Sequence, residues 1–199
     1  MMRQMDSDTP PAPRIILASG SPRRRELLEK AGFALEVIPS PAEEIHDASL
    51  PPGELCETNA RLKAAAVAAN HAGAWVVGAD TLVFLGGTPL GKPGDRAAAA
   101  AMLAALSGRT HEVRTGVCVV DPAGIARTFH ETTRVTFREL DAAAIAAYHE
   151  LVNPLDKAGA YGIQEHGERI IEKIDGPYDN VMGLPVAAVV ACIGPPAHG

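Results

Sequence analysis

Three consecutive arginines, Arg23, Arg24 and Arg25, stand in the stretch RIILASGSPRRRELL, residues 14–28. The stretch reads as a short buried strand, a turn of small residues at Ser19, Gly20 and Ser21, and a helix opened by Pro22. Ser21 is expected to cap that helix through its hydroxyl, with Pro22 at a position where a missing N–H costs nothing. Cations crowded at a helix N-terminus oppose the helix dipole. An anion docked there accounts for them, because free N–H groups and guanidinium forks both favour phosphate. Solvated surface arginines would give the same string, and neither GxxxxGK[ST] nor GxGxxG is present.

Asp80 is the acid most in need of an explanation. It interrupts AWVVGADTLVFLGG, residues 74–87, between apolar strand residues. A carboxylate in such surroundings must be paired, bound to a metal or functional, or must serve as a turn or cap. Lys63 sits among alanines on a helix, where it either snorkels or points into a cleft. Lys92 is alone in the tight loop Gly91-Lys92-Pro93-Gly94. Glu43 and Glu44 lie in a Pro-rich acidic loop, either solvated or serving a metal or substrate. Gln164, in a glycine-punctuated segment from Lys157, carries the donor and acceptor pair that reads a base edge, or simply bonds to backbone in a turn.

The elements that must position these residues alternate between strand and helix. Strands are expected at Ile15–Leu17, Phe33–Ile38, Trp75–Val77, Leu82–Leu85, Thr115–Val120, Ile125–Phe129, Thr132–Phe137 and Ile170–Ile174. Helices are expected at Glu54–Asn70, from an N-cap at Asp95 to about Leu106, from an N-cap at Asp141 to about Leu151, and from Leu184-Pro185 to near Gly194. Glu57 and Arg61 have the i,i+4 spacing of an exposed ion pair.

The 199 residues carry a net charge of −6 and are 47% hydrophobic, enough for one packed domain. The acidic balance excludes nonspecific nucleic-acid binding, and no apolar run approaches a membrane span. Cys56, Cys118 and Cys192 are odd in number and far apart, which fits a reducing cytoplasm rather than a disulfide framework. No CxxC or HExxH spacing points to zinc. Residues 1–13 are expected to form a disordered tail, 14–194 a single domain and 195–199 a C-terminal tail.

The order LASGSPRRRELL, GADTLV, GKP, AGAYGIQ and NVMGLP resembles the Maf family over roughly residues 15–190. Five motifs in register make the likeness far more specific than any single one. The resemblance implies an α/β fold related to inosine triphosphate pyrophosphatases: a mixed twisted sheet flanked by helices, with a cleft between two lobes. It implies hydrolysis of a nucleoside triphosphate to the monophosphate and pyrophosphate, in a homodimer, aided by a divalent cation. That cation is expected to be Mg²⁺, with Mn²⁺ as the alternative.

Residue by residue, the resemblance makes Asp80 the proton acceptor or a metal ligand, with Glu44 tied to metal or water. Ser19, Arg23 and Arg24 match the phosphate-binding loop, and Lys63 and Lys92 match lysines around the triphosphate. Arg24, Thr81 and Gln164 match positions linked to base choice, and the chain looks like the dTTP/UTP branch. After Gln164 it departs from that branch, with Glu165-His166-Gly167 where glycine is usual. The family is also associated with septum formation, so a nucleotide-binding regulator without turnover is the competing class. Asp80 separates the two, since a carboxylate beside a triphosphate only weakens a pure binder.

Overall fold

The computed structural model describes residues 14–47 and 49–196. The expected tail at 1–13, and positions 197–199 of the expected C-terminal tail, lie outside the described residues. Among the described residues seven strands form one mixed sheet: β1 (Ile15–Leu17), β2 (Leu35–Val37), β3 (Trp75–Leu85), β4 (Thr88–Leu90), β5 (Thr110–Val120), β6 (Ala126–Phe137) and β7 (Ile171–Asp175). The order is β2-β1-β3-β5-β6-β7, with β4 on the outer part of β3. β2, β1 and β3 run parallel, and β3, β5, β6 and β7 are antiparallel neighbours. Among the described residues six α-helices flank the sheet: α1 (Pro22–Lys30), α2 (Pro52–Ala68), α3 (Arg96–Leu106), α4 (Ala142–Leu151), α5 (Tyr178–Met182) and α6 (Val186–Ile193).

Two expected breaks are absent. Trp75–Val77 and Leu82–Leu85 belong to one strand of 11 residues, and the expected strands at Ile125–Phe129 and Thr132–Phe137 merge into β6, which begins one residue later, at Ala126. Gly78 and Asp80 stay in the ladder, opposite Cys118 and Gly116, and His130 stays opposite Gly116 on the other side. The polar and glycine positions that read as turns are sites where other elements approach the sheet. α5 was not expected, because it is only five residues long and follows the turn at Gly176-Pro177.

Side-chain alternation builds two lobes on shared strands. In the first lobe, Leu17, Val77, Ala79, Val117 and Val119 pack with Leu28 of α1 and Val189 of α6. On the opposite face Ile16, Val76, Cys118 and Val120 pack with Ala60, Ala64 and Val67 of α2. In the second lobe, Val83, Val113, Val135 and Phe137 pack with Leu103 and Leu106 of α3 and Tyr148 of α4. Asp80 lies where the two lobes meet.

α2 lies directly on the sheet because two strand positions have no side chain. A Cβ on Gly78 would fall 2.5 Å from the Ala60 carbonyl oxygen, and one on Gly116 would fall 2.5 Å from the Glu57 nitrogen. Asp95 and Asp141 cap their helices as expected, accepting from Ala98 and Ala144. Ser21 does not cap α1, since its side chain makes no capping bond. The nearby Ser19 hydroxyl instead accepts from the Ser21 N–H at 3.3 Å and from Arg24. Glu57 does not pair with Arg61: its carboxylate meets His130 Nδ1 at 2.6 Å, because β6 passes beside α2. Gly116→Ala should destabilise the fold by about 3 kcal/mol through overpacking against helix backbone, read as a lower urea midpoint at unchanged slope.

Candidate active site

Close packing of α2 aims two of its side chains, one turn apart, at Asp80. Asp80 is 4% exposed. Its Oδ1 accepts from Lys63 Nζ at 2.8 Å and its Oδ2 from Asn59 Nδ2 at 3.1 Å. Lys63 therefore points into the cleft, and the same ammonium donates to Glu44 Oε1 at 2.6 Å. Glu44 comes from the irregular segment between β2 and α2. One lysine thus holds two carboxylates that are 36 positions apart in the chain (80 − 44). Asn59 had no motif to announce it. An asparagine on the buried face of an otherwise alanine-rich helix is the signal that was available.

Arg24 takes a different place from Arg23 and Arg25. It is buried, and burial pushes its guanidinium below the usual value, opposed by the charges of Asp80 and Glu44. Nε donates to the Gly183 carbonyl at 2.8 Å, one terminal nitrogen to Ser19 Oγ at 2.9 Å and the other to Thr81 Oγ1 at 2.9 Å. Thr81 Oγ1 meets Thr115 Oγ1, and Thr115 donates to the Asn180 carbonyl. Arg24 so joins the β1–α1 turn, β3 and the end of α5 into one wall. Arg25 pairs with Glu29 on the surface. Arg23 is half-buried and Lys92 is exposed.

The far wall is the segment from Asp156 to Glu165. Lys157 is buried, and its ammonium donates to the Asn153 carbonyl at 2.9 Å and to Asp156 at 2.8 Å, and pairs with Glu165 at 3.1 Å. Two hydrogen bonds and the ion pair with Glu165 offset its charge, so it adds little free positive charge. Gln164 is exposed beside Glu165. The Gly159 N–H donates to the Gly91 carbonyl at 3.1 Å, joining this wall to the Lys92 loop. Neither Lys157 nor Glu165 was expected at the site as a bonded pair.

These elements enclose a cavity of about 610 Å³ that Arg23, Arg24, Glu44, Lys63, Asp80, Thr81, Lys92 and Gln164 all line. Ser19 lines an adjoining cavity of about 400 Å³ together with Arg23, Lys63 and Lys92. Every expected site residue is therefore brought to one connected space. Cations gather around a single buried acid, and the amide of Gln164 and the carboxylate of Glu165 line the same space.

Behind the far wall, Tyr161 lines the cavity and its hydroxyl meets His111 Nε2 at 2.8 Å. Burial pushes His111 down to about 4, and its Nδ1 has no partner. The folded state therefore binds fewer protons than the unfolded chain between about pH 6.5 and pH 4. The stability that a neutral His111 preserves is fully present above pH 6.5 and is lost as pH falls toward 4. The expected loss is about 3 kcal/mol, seen as a falling unfolding midpoint that His111→Phe flattens.

A concave site with convergent cations and one desolvated acid, between the lobes of an α/β sheet, defines a phosphate-handling protein. A family model described as Maf-like protein matches residues 14–194. A dTTP/UTP pyrophosphatase of Akkermansia muciniphila is 54% identical over 181 residues, covering 91% of this chain and 95% of that protein. A dTTP/UTP pyrophosphatase of Deinococcus radiodurans is 50% identical over 180 residues, covering 90% of this chain and 91% of that protein. Among solved structures, the Ham1 protein of Staphylococcus aureus has a TM-score of 0.49 at 15% identity, covering 90% of this chain and 97% of that one. The chain belongs to the Maf family.

Proposed function

We propose that this chain hydrolyses dTTP and UTP to the nucleoside monophosphate and pyrophosphate, clearing such nucleotides and modified pyrimidine relatives from the pool. The observation that carries the reading is the buried Asp80 carboxylate, held by Lys63 and Asn59 at the floor of a cation-lined cavity. The names of the curated relatives, at about half identity over nine-tenths of the chain, support the same substrates.

The triphosphate lies toward Arg23, Lys63 and Lys92, where positive charge meets the phosphate oxygens. The base lies toward Gln164, whose amide can donate to one pyrimidine oxygen and accept from the ring N–H. Arg24 and Thr81 set the wall between them. Water attacks the α-phosphorus, Asp80 takes its proton, and the bond from that phosphorus to the bridging oxygen breaks to release pyrophosphate.

No group of three His, Cys, Asp or Glu side chains converges among the described residues. Glu44 and Asp80, already sharing one ammonium, are a donor set that suits Mg²⁺ or Mn²⁺ arriving with phosphate oxygens rather than an all-protein cage. Glu44 would hold that cation, joined by Asp80 in the alternative in which Asp80 is a metal ligand instead of the proton acceptor; when bound, the cation neutralises phosphate charge and acidifies a bound water.

Cytoplasmic location and a homodimer belong to the same proposal. Free thiols at Cys56, Cys118 and Cys192 fit a reducing compartment, and no helix among the described residues is long and apolar enough to cross a membrane. A binder without turnover has no use for Asp80.

With Mg²⁺, the purified protein should release pyrophosphate, not orthophosphate, from dTTP and UTP. Asp80→Asn should lower kcat by about a thousandfold while keeping nucleotide binding, measured by coupled pyrophosphate assay and calorimetry. Undiminished turnover in that variant would remove Asp80 from the mechanism. Gln164→Ala should change the ratio of kcat/KM between dTTP and a purine triphosphate by about tenfold; an equal loss on every nucleotide would remove Gln164 as base reader.

A further inference from the structure

The segment from Pro39 to Asp47 has neither helix nor strand, yet it carries Glu44 to the cavity. Among the described residues it meets the body of the protein through few polar ties. Glu44 reaches Lys63, but the Glu44 side chain is 42% exposed and the pair is open to solvent. The other tie is Asn59, which is 1% exposed. Its Oδ1 accepts from the Ile45 N–H at 2.7 Å and its Nδ2 donates to the Ile45 carbonyl at 3.1 Å. One side-chain amide thus satisfies both backbone groups of one loop residue. The remaining hydrogen of Nδ2 goes to Asp80 Oδ2 at 3.1 Å.

We propose that Asn59 is a positioning residue that makes the seating of the Glu44 loop and the aiming of the Asp80 carboxylate a single event. The inference rests on the hydrolase reading for its kinetic consequence but not for its structural one. An amide has two N–H donors and one acceptor oxygen, and here each is used. When the loop is seated, Ile45 fixes the rotation of the Asn59 amide, and that rotation points the second N–H at Asp80. When the loop lifts, the amide is free to turn and Asp80 keeps only Lys63. Burial makes each of these bonds costly to leave unmade, so partial arrangements are disfavoured. Glu44, next to Ile45, enters and leaves the cavity with the same movement. Neither near-isosteric side chain does this at position 59: leucine fills the space and bonds to nothing, and an aspartate carboxylate accepts from Ile45 but has no N–H to donate.

Two near-isosteric variants of the full-length chain test this. Amide exchange is read residue by residue by NMR, with and without dTTP carrying a methylene bridge between the α- and β-phosphates. In the unaltered protein the Ile45 amide should be protected, and more so with the analogue. In Asn59→Leu that amide should exchange about tenfold faster, while Val77 in the core of β3 is unchanged. The analogue should no longer slow it. With dTTP and Mg²⁺, kcat should fall by about a hundredfold at nearly constant KM, the cost of a misplaced reacting group.

Asn59→Asp should keep Ile45 protected, because the acceptor survives, yet lose kcat as the leucine variant does. It also carries the test if the leucine variant does not fold. Normal kcat in either variant, unchanged Ile45 exchange in Asn59→Leu, or an equal loss of protection at Val77 would overturn the proposal. If the unaltered protein turns over no nucleotide, the hydrolase reading fails, and exchange at Ile45 alone decides the coupling.

Discussion

The separation between α2 and the sheet is the constraint on which the site depends. Lys63 and Asn59 reach Asp80 only because Gly78 and Gly116 let helix backbone rest on strand backbone. Close approach also strips water from the carboxylate, which is what makes it costly to leave alone. The ammonium and the amide meet that cost by bonding to both of its oxygens. A buried ion pair of this kind contributes little to stability compared with apolar packing. Its presence at the junction of two otherwise apolar lobes marks a place where chemistry has overridden folding economy.

Charge in the cavity is arranged to receive an anion. Arg23, Lys63 and Lys92 face the cavity with ammonium and guanidinium groups that still have capacity. Lys157, in the far wall, is bonded to a carbonyl and to Asp156 and paired with Glu165, so it adds little to their field. A triphosphate is drawn to the free cations. Arg24, though central, spends its hydrogen bonds on Gly183, Ser19 and Thr81. It shapes the wall of the cavity.

Much of this was legible because the chemistry is local in sequence. Arg23 follows a strand and a turn, Asp80 sits in an apolar strand, and Lys92 and Gln164 lie in glycine-rich loops. Periodicity marked most elements, and Asp95 and Asp141 announced their caps. The rest depended on partners distant in the chain. Asn59 acquires meaning only when Ile45 and Asp80 arrive from two other elements, and Lys157 only when Glu165 folds back upon it. Glu57 chose His130 over Arg61 because β6 runs alongside α2, which helical spacing does not encode. The interruptions at Gly78–Thr81 and His130–Glu131 imitated turns because glycine and polar residues serve both turns and close contacts.

β3, β5 and β6 run from one lobe into the other without a break, at 11, 11 and 12 residues. A pair of lobes joined by flexible connectors can swing apart like jaws. Here the floor of the cleft is a hydrogen-bonded ladder with Asp80 in the middle of it, and bending it would tear main-chain bonds on both sides. Admission of a nucleotide is therefore left to the rims: the Glu44 segment on one margin and the Lys92 and Gln164 loops on the other. The same continuity removes any seam along which half the molecule could melt by itself, so heat should take both lobes down together.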